Sequence, residues 1–97
     1  MPDNAPKVLI VDDMIDNRTL LEFLLEDNYV VKSVESGSEC LAIIPEYVPD
    51  VIVLDVRMPE MDGYEVCEKL KSAEISEKIP VIFVSAETGV DEQLKGF

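Results

Sequence analysis

Past a polar, Pro-containing lead-in over residues 1–6, short apolar runs alternate with helical patterns along the whole chain. Lys7–Val11 (KVLIV) is β-branched and apolar at successive positions, hence on both faces, which suits a central parallel strand. It stops abruptly at Asp12-Asp13. Leu20, Leu21, Leu24 and Leu25 then recur on one expected helical face, with Arg18, Glu22 and Glu26 on the other. That pattern ends near Asp27-Asn28. Val30–Val34 alternates weakly and predicts a second, more exposed strand. Ser36 followed by Glu39 fits a capping box and opens a helix through Leu41, Ile43 and Ile44, which Pro45 keeps short. Val51–Leu54 is a second wholly apolar strand, again ending in an acid, Asp55. After a loop, Asp62 and Glu65 form another capping box, for a helix with Val66, Cys67 and Leu70 inward and Lys69 and Lys71 in its last turn. Val81–Val84 is the third apolar strand, running into Ser85-Ala86. Val90, Leu94 and Phe97 predict the start of one more helix over 88–97.

Strands alternating with helices predict an α/β fold, a parallel sheet with helices on both faces and right-handed crossovers. In such a sheet all strand C-termini share one edge, where ligands bind. If the three apolar strands are neighbours, Asp12, Asp13, Asp55 and Ser85 meet at one corner. Each has an ordinary explanation alone: Asp12-Asp13 as a helix cap, Asp55 as a strand-end turn residue. Jointly they favour a site.

Charge sharpens this picture. Eight Lys and Arg stand against 21 Asp and Glu, with no His, for a formal charge of −13. Phosphate-neutralising cations are scarce, so nucleic-acid or anionic-membrane binding by this segment is not expected. Carboxylates gathered on so acidic a domain need a counter-ion. Mg²⁺, which takes carboxylate, carbonyl and water oxygens and shares them with phosphate, is the natural one. An aspartate beside it is a phosphoryl acceptor by chemistry. The lack of His removes Ser-His and Cys-His dyads and His-ligated metals. Cys40 and Cys67 match no zinc or redox spacing and are expected as reduced thiols of a cytoplasmic protein. The opening residues show neither a basic n-region nor an apolar h-region, and no run approaches the ~18 apolar residues of a membrane span.

The motifs VLIVDD (8–13), VIVLD (51–55), MPEMDG (58–63) and PVIFVSA (80–86) are each weak alone and, in this order and spacing, specific. With them the chain resembles the receiver domain of two-component response regulators from about Lys7 to Phe97. The resemblance implies a flavodoxin-like, doubly wound sheet of four strands in the order 2-1-3-4. It implies that Asp55 takes a phosphoryl group from a phosphohistidine on a histidine kinase or histidine phosphotransfer protein. Asp13 then holds Mg²⁺ directly, Asp12 through water, and Arg57 through its backbone carbonyl, with Asp55 completing the set. Ser85 becomes the switch hydroxyl, and the small Ala86 lets its backbone N–H approach a phosphoryl oxygen. Arg57 and Glu87 sit where the family varies the side chains that tune dephosphorylation.

A complete receiver is similar but longer by one βα unit, whose strand carries a Lys that reaches the phosphoryl group. Residues 7–97 are therefore expected to be a receiver lacking its final βα unit, with any output enzyme outside the chain. Val81–Val84 is expected to be an exposed edge, so that the chain either dimerises, by edge pairing or element exchange, or is only marginally stable. The alternative function is a truncated or degenerate receiver that binds partners without phosphorylation. A Mg²⁺-dependent phosphohydrolase needs a second Asp where Arg57 stands. A flavin domain needs a Ser/Thr/Gly-rich loop where Asp12-Asp13-Met14 stands.

Overall fold

A computed structural model of the chain describes residues 4–84, and the elements expected within them are all present. They are β1 (Lys7–Val11), α1 (Ile15–Leu25), β2 (Val30–Val34), α2 (Gly37–Ile43), β3 (Val51–Asp55), α3 (Gly63–Lys71) and β4 (Val81–Val84). The helix expected over 88–97 lies outside the described residues.

The four strands form one parallel sheet in the order β2-β1-β3-β4. β1 and β3 are central and buried at four of their five positions, whereas β2, with exposed Lys32, and β4, with Ile82 at 49 % exposure, are the outer strands of the four. Strand alternation sends Leu9, Val11, Ile52, Leu54 and Phe83 to one face, where Cys40 and Ile44 at α2 and Val66 and Leu70 of α3 close the larger core. Val8, Ile10 and Val53 point to the opposite face, against Leu21 and Leu25 of α1. Each large aliphatic fully buried in this way contributes about 1.5–3 kcal/mol.

Capping chemistry sets the helix starts. The Ser36 hydroxyl accepts the Glu39 N–H at 3.1 Å, while the Glu39 carboxylate accepts from the Glu35 N–H at 3.0 Å, closing the box one residue earlier than the usual pattern. The Asp62 carboxylate accepts the Glu65 N–H at 2.9 Å. Pro45 has no N–H to continue α2, which ends at Ile43. The α2–α3 contact requires a glycine, since a Cβ on Gly37 would stand 2.5 Å from Cγ2 of Val66. Beyond α3, the Ser76 hydroxyl donates to the Leu70 carbonyl at 2.6 Å and the Lys71 ammonium to the Ile79 carbonyl at 2.7 Å, tying the connection back before it enters β4. Neither cysteine is in a disulfide. Burial pushes the Cys40 thiol up to about 12, so it acts as a small apolar filler.

One expectation is corrected. The leucines of α1 do not form a single buried stripe. Leu21 and Leu25 pack on the sheet, but Leu20 and Leu24 are exposed, as is Phe23 at 69 %. Residues four apart share a face, whereas neighbours diverge by about 100°. The pairs 20/24 and 21/25 are therefore adjacent stripes, and α1, lying over β1 and β2, buries only one. The polar side of the helix is also engaged: Arg18 and Glu22 are half-buried, and Glu22 accepts a hydrogen bond from Ser33 of β2.

Candidate functional site

Asp12 follows directly on β1 and Asp55 ends β3. Because these strands pair in parallel with Val11 opposite Leu54, the two acids emerge side by side at the sheet's C-terminal edge. Asp13 follows on the same turn. Carboxylate oxygens of Asp12, Asp13 and Asp55 all lie within 4.8 Å of one another. Asp12 is 2 % exposed and Asp55 7 %, while Asp13 is the most open of the three.

The turn is built to hold this arrangement. The Asp12 N–H donates to the Val34 carbonyl at 3.2 Å, and its carboxylate accepts the Met14 N–H at 2.9 Å. The N-cap of α1 is Met14, with no side-chain cap, so Asp12 braces the turn before the helix instead of capping it. The Arg18 guanidinium, 12 % exposed, donates through Nη1 to the Asp12 carbonyl at 2.8 Å. On the β3 side, the Arg57 N–H donates to the Asp55 carboxylate at 3.3 Å. Gly63 lies hard against this strand end: a Cβ there would stand 2.4 Å from the Asp55 carbonyl, and its N–H donates to the Val56 carbonyl at 2.8 Å. The start of α3 and the end of β3 are thus held in register.

Electrostatically the cluster is frustrated. The Asp55 carboxyl is raised from 3.8 to about 6, first by burial, then by the charge of Asp12, with Asp13 adding to it; the Arg57 N–H works in the opposite direction. Three hard oxygen donors facing one another fit a small divalent cation. About 2.1 Å from Mg²⁺, octahedral ligands stand roughly 3 to 4 Å apart, and a bridging water spans a longer gap. An open cleft of about 540 Å³ follows the end of β3, lined by Val56, Arg57, Met58, Pro59, Asp62 and Tyr64. The Tyr64 ring packs on Phe83 of β4 at 5.0 Å.

Of the residues singled out from the sequence, Asp12, Asp13 and Asp55 come together. The Arg57 backbone is at the rim, with its side chain exposed. Ser85 and Ala86 lie outside the described residues, as does Glu87, although Val84 just before them pairs with Asp55. Arg18 is invisible in the sequence as a site residue. Helical periodicity places it on the polar side of α1, and only its length and its backward reach bring it to Asp12.

The response regulator receiver domain matches this sequence over residues 8–97. The response regulator PleD of Caulobacter vibrioides is 40 % identical over 93 residues, 95 % of this chain and 20 % of that protein. A probable cyclic di-GMP phosphodiesterase of Vibrio cholerae is 39 % identical over 90 residues, 93 % of this chain and 20 % of that protein. The chain therefore spans about a fifth of the length of these relatives. Among solved structures, the chemotaxis protein CheY4 of Vibrio cholerae superposes with a TM-score of 0.84 at 32 % identity, over 95 % of this chain and 78 % of that one. Since the match runs through both acidic strand ends and the loop between them, the chain belongs to the response regulator receiver domain family.

Proposed function

We propose that this chain is the phosphoacceptor of a two-component signalling protein, taking a phosphoryl group from a partner phosphohistidine onto Asp55. The observation that carries this reading is the convergence of three carboxylates on one buried acceptor whose proton affinity is raised. Mg²⁺ would be held by Asp12, Asp13, Asp55 and the Arg57 carbonyl, and when bound it neutralises charge on the transferring oxygens. An Asp55 carboxylate oxygen attacks phosphorus. The O–P bond forms as the P–N bond of the donor breaks, and the electron pair returns to the imidazole nitrogen, which takes up a proton. Burial supports this chemistry, because a desolvated carboxylate is a stronger nucleophile and water is kept from the acyl phosphate. Ser85 is proposed as the switch hydroxyl and Ala86 as the backbone donor to the phosphoryl group.

The donor is a histidine kinase or a histidine phosphotransfer protein. The acidity of the chain argues against nucleic-acid contact by this segment, and the free thiols Cys40 and Cys67 fit a cytoplasmic protein. Among the described residues no helix is long and apolar enough to cross a membrane. Any output enzyme would lie outside this chain, a reading supported by the relative named as a probable cyclic di-GMP phosphodiesterase, which the match covers over one fifth of its length.

Incubation with acetyl phosphate and Mg²⁺, followed by intact mass, tests the proposal. A gain of one phosphoryl group, lost in Asp55→Asn, supports it. No gain at high donor, with partner binding retained, leaves the second reading, a phosphorylation-independent interaction module. Exposed Leu20, Phe23 and Leu24 on α1 favour that reading. Self-association through β4 is proposed from the half-exposed Ile82 on an outer strand. A monomer by light scattering at high concentration would remove it.

A further inference from the structure

Arg18 is a cation near the N-terminal pole of α1, where the helix dipole disfavours it. It is also largely buried, at 12 % exposure, in a domain with only eight basic residues. For α1 alone a neutral or acidic residue would serve better. Its side chain folds back over the preceding turn, as helical side chains do, and lodges in a crevice lined by Ile15, Glu22, Ser33, Val34 and Glu35. There Nη1 donates to the Asp12 carbonyl at 2.8 Å, and Nη2 lies 3.9 Å from the Glu35 carboxylate. The Asp12 carbonyl belongs to the peptide unit that joins Asp12 to Asp13. With the Asp12 N–H already held by Val34 and its side chain by Met14, the Arg18 bond fixes the remaining polar group of that residue. The plane of the peptide sets the direction in which the Asp13 side chain leaves the backbone.

We propose that Arg18 is a positioning residue for the acid cluster: it holds the Asp12–Asp13 peptide so that both carboxylates converge on Asp55. The inference rests on the Mg²⁺-dependent reading above and names the residue that shapes its metal site. Charge and geometry make opposite demands on it. As a nearby cation Arg18 opposes Mg²⁺ binding, so its removal by charge alone tightens the site. As a positioning residue its removal loosens the site. Partners that orient metal ligands typically influence affinity by about 10–100-fold.

The test is a Mg²⁺ titration of the wild-type chain, Arg18→Ala, Arg18→Met and Arg18→Lys by two-dimensional NMR. Order parameters of the Asp13 and Met14 amides in the metal-free chains are measured in parallel. Arg18→Ala is expected to weaken Mg²⁺ about tenfold and to lower the Asp13 order parameter from the rigid range near about 0.85 toward about 0.6. Arg18→Lys, which keeps the charge and one donor, recovers part of both. Glu35→Gln, altering an exposed carboxylate, stays within about twofold, as expected for a surface ion pair. If the alanine variant does not fold, Arg18→Met, which retains a buried aliphatic stem without the donor, carries the same expectation. Unchanged or tighter Mg²⁺ binding with an unchanged Asp13 amide overturns the positioning role. Absence of Mg²⁺ binding by the wild-type chain overturns the metal-site reading itself, and the metal-free amide data still decide whether Arg18 orders the turn.

Discussion

Replacing Asp55 by Asn should make the metal-free domain more stable at neutral pH and leave it nearly unchanged in acid. Asp55 is raised from 3.8 to about 6, with burial the first cause and the Asp12 charge the second. A group whose folded value is raised binds its proton more tightly in the native state. Its stabilisation is complete below about pH 4 and is lost as pH rises through about 6. Above that window the ionised carboxylate costs the native state up to about 3 kcal/mol, at about 1.36 kcal/mol for each tenfold change in proton affinity, and screening by solvent lowers the figure. Asn keeps an oxygen for the Arg57 N–H and offers an amide to the neighbouring carboxylates, without a charge. Urea unfolding followed by circular dichroism, in EDTA at pH steps from about 4 to about 8, reads the difference directly. The two curves should nearly coincide near about pH 4 and separate by up to about 3 kcal/mol at about pH 7, a midpoint difference of roughly 1–3 M urea. Comparing the variants cancels the other carboxylates. A gap independent of pH, or an Asn variant less stable than wild type at neutral pH, would refute the claim that Asp55 carries unrelieved charge in the folded state.

Other outcomes follow from the same geometry. Millimolar Mg²⁺ should raise the wild-type melting temperature, since the ion binds the folded cluster and hardly the unfolded chain; calorimetry should show a smaller rise for Asp13→Ala. Gly63→Ala places a Cβ 2.4 Å from the Asp55 carbonyl and should cost about 2–4 kcal/mol in chemical denaturation while slowing phosphorylation by acetyl phosphate. Glu60 has φ of 69° in the loop before α3, so Glu60→Gly should gain up to about 1 kcal/mol by relieving the left-handed strain; a loss of stability would show that its side chain outweighs that strain.

How much of the molecule is legible in its residues varies from element to element. Lys7–Val11, Val30–Val34 and Val81–Val84 can be read to their observed ends, because a β-branched run between polar boundaries has few alternatives. Ser36 and Asp62 announce α2 and α3 through local capping that needs no tertiary context. The acids at the strand ends are also visible, since parallel strands must finish on one edge. Family resemblance, and not the apolar pattern, supplies the strand order 2-1-3-4, on which their convergence depends.

Other features belong to the folded chain alone. Periodicity ranks helix faces by composition, so it cannot tell that 21/25 rather than 20/24 lies against the sheet; that choice depends on where α1 crosses β1 and β2. Nor can it show that Arg18, nominally on the polar side, reaches back to the Asp12 carbonyl. The raised Asp55 carboxyl likewise depends on burial and on charges from a different strand. The elements and the carboxylates at their ends are written in the order of residues, because periodicity and capping act among neighbours along the chain, and the alternation of strand with helix carries the parallel arrangement. The distances between those carboxylates, and the groups that brace them, arise only on folding, because both are set by packing between segments that are remote until then.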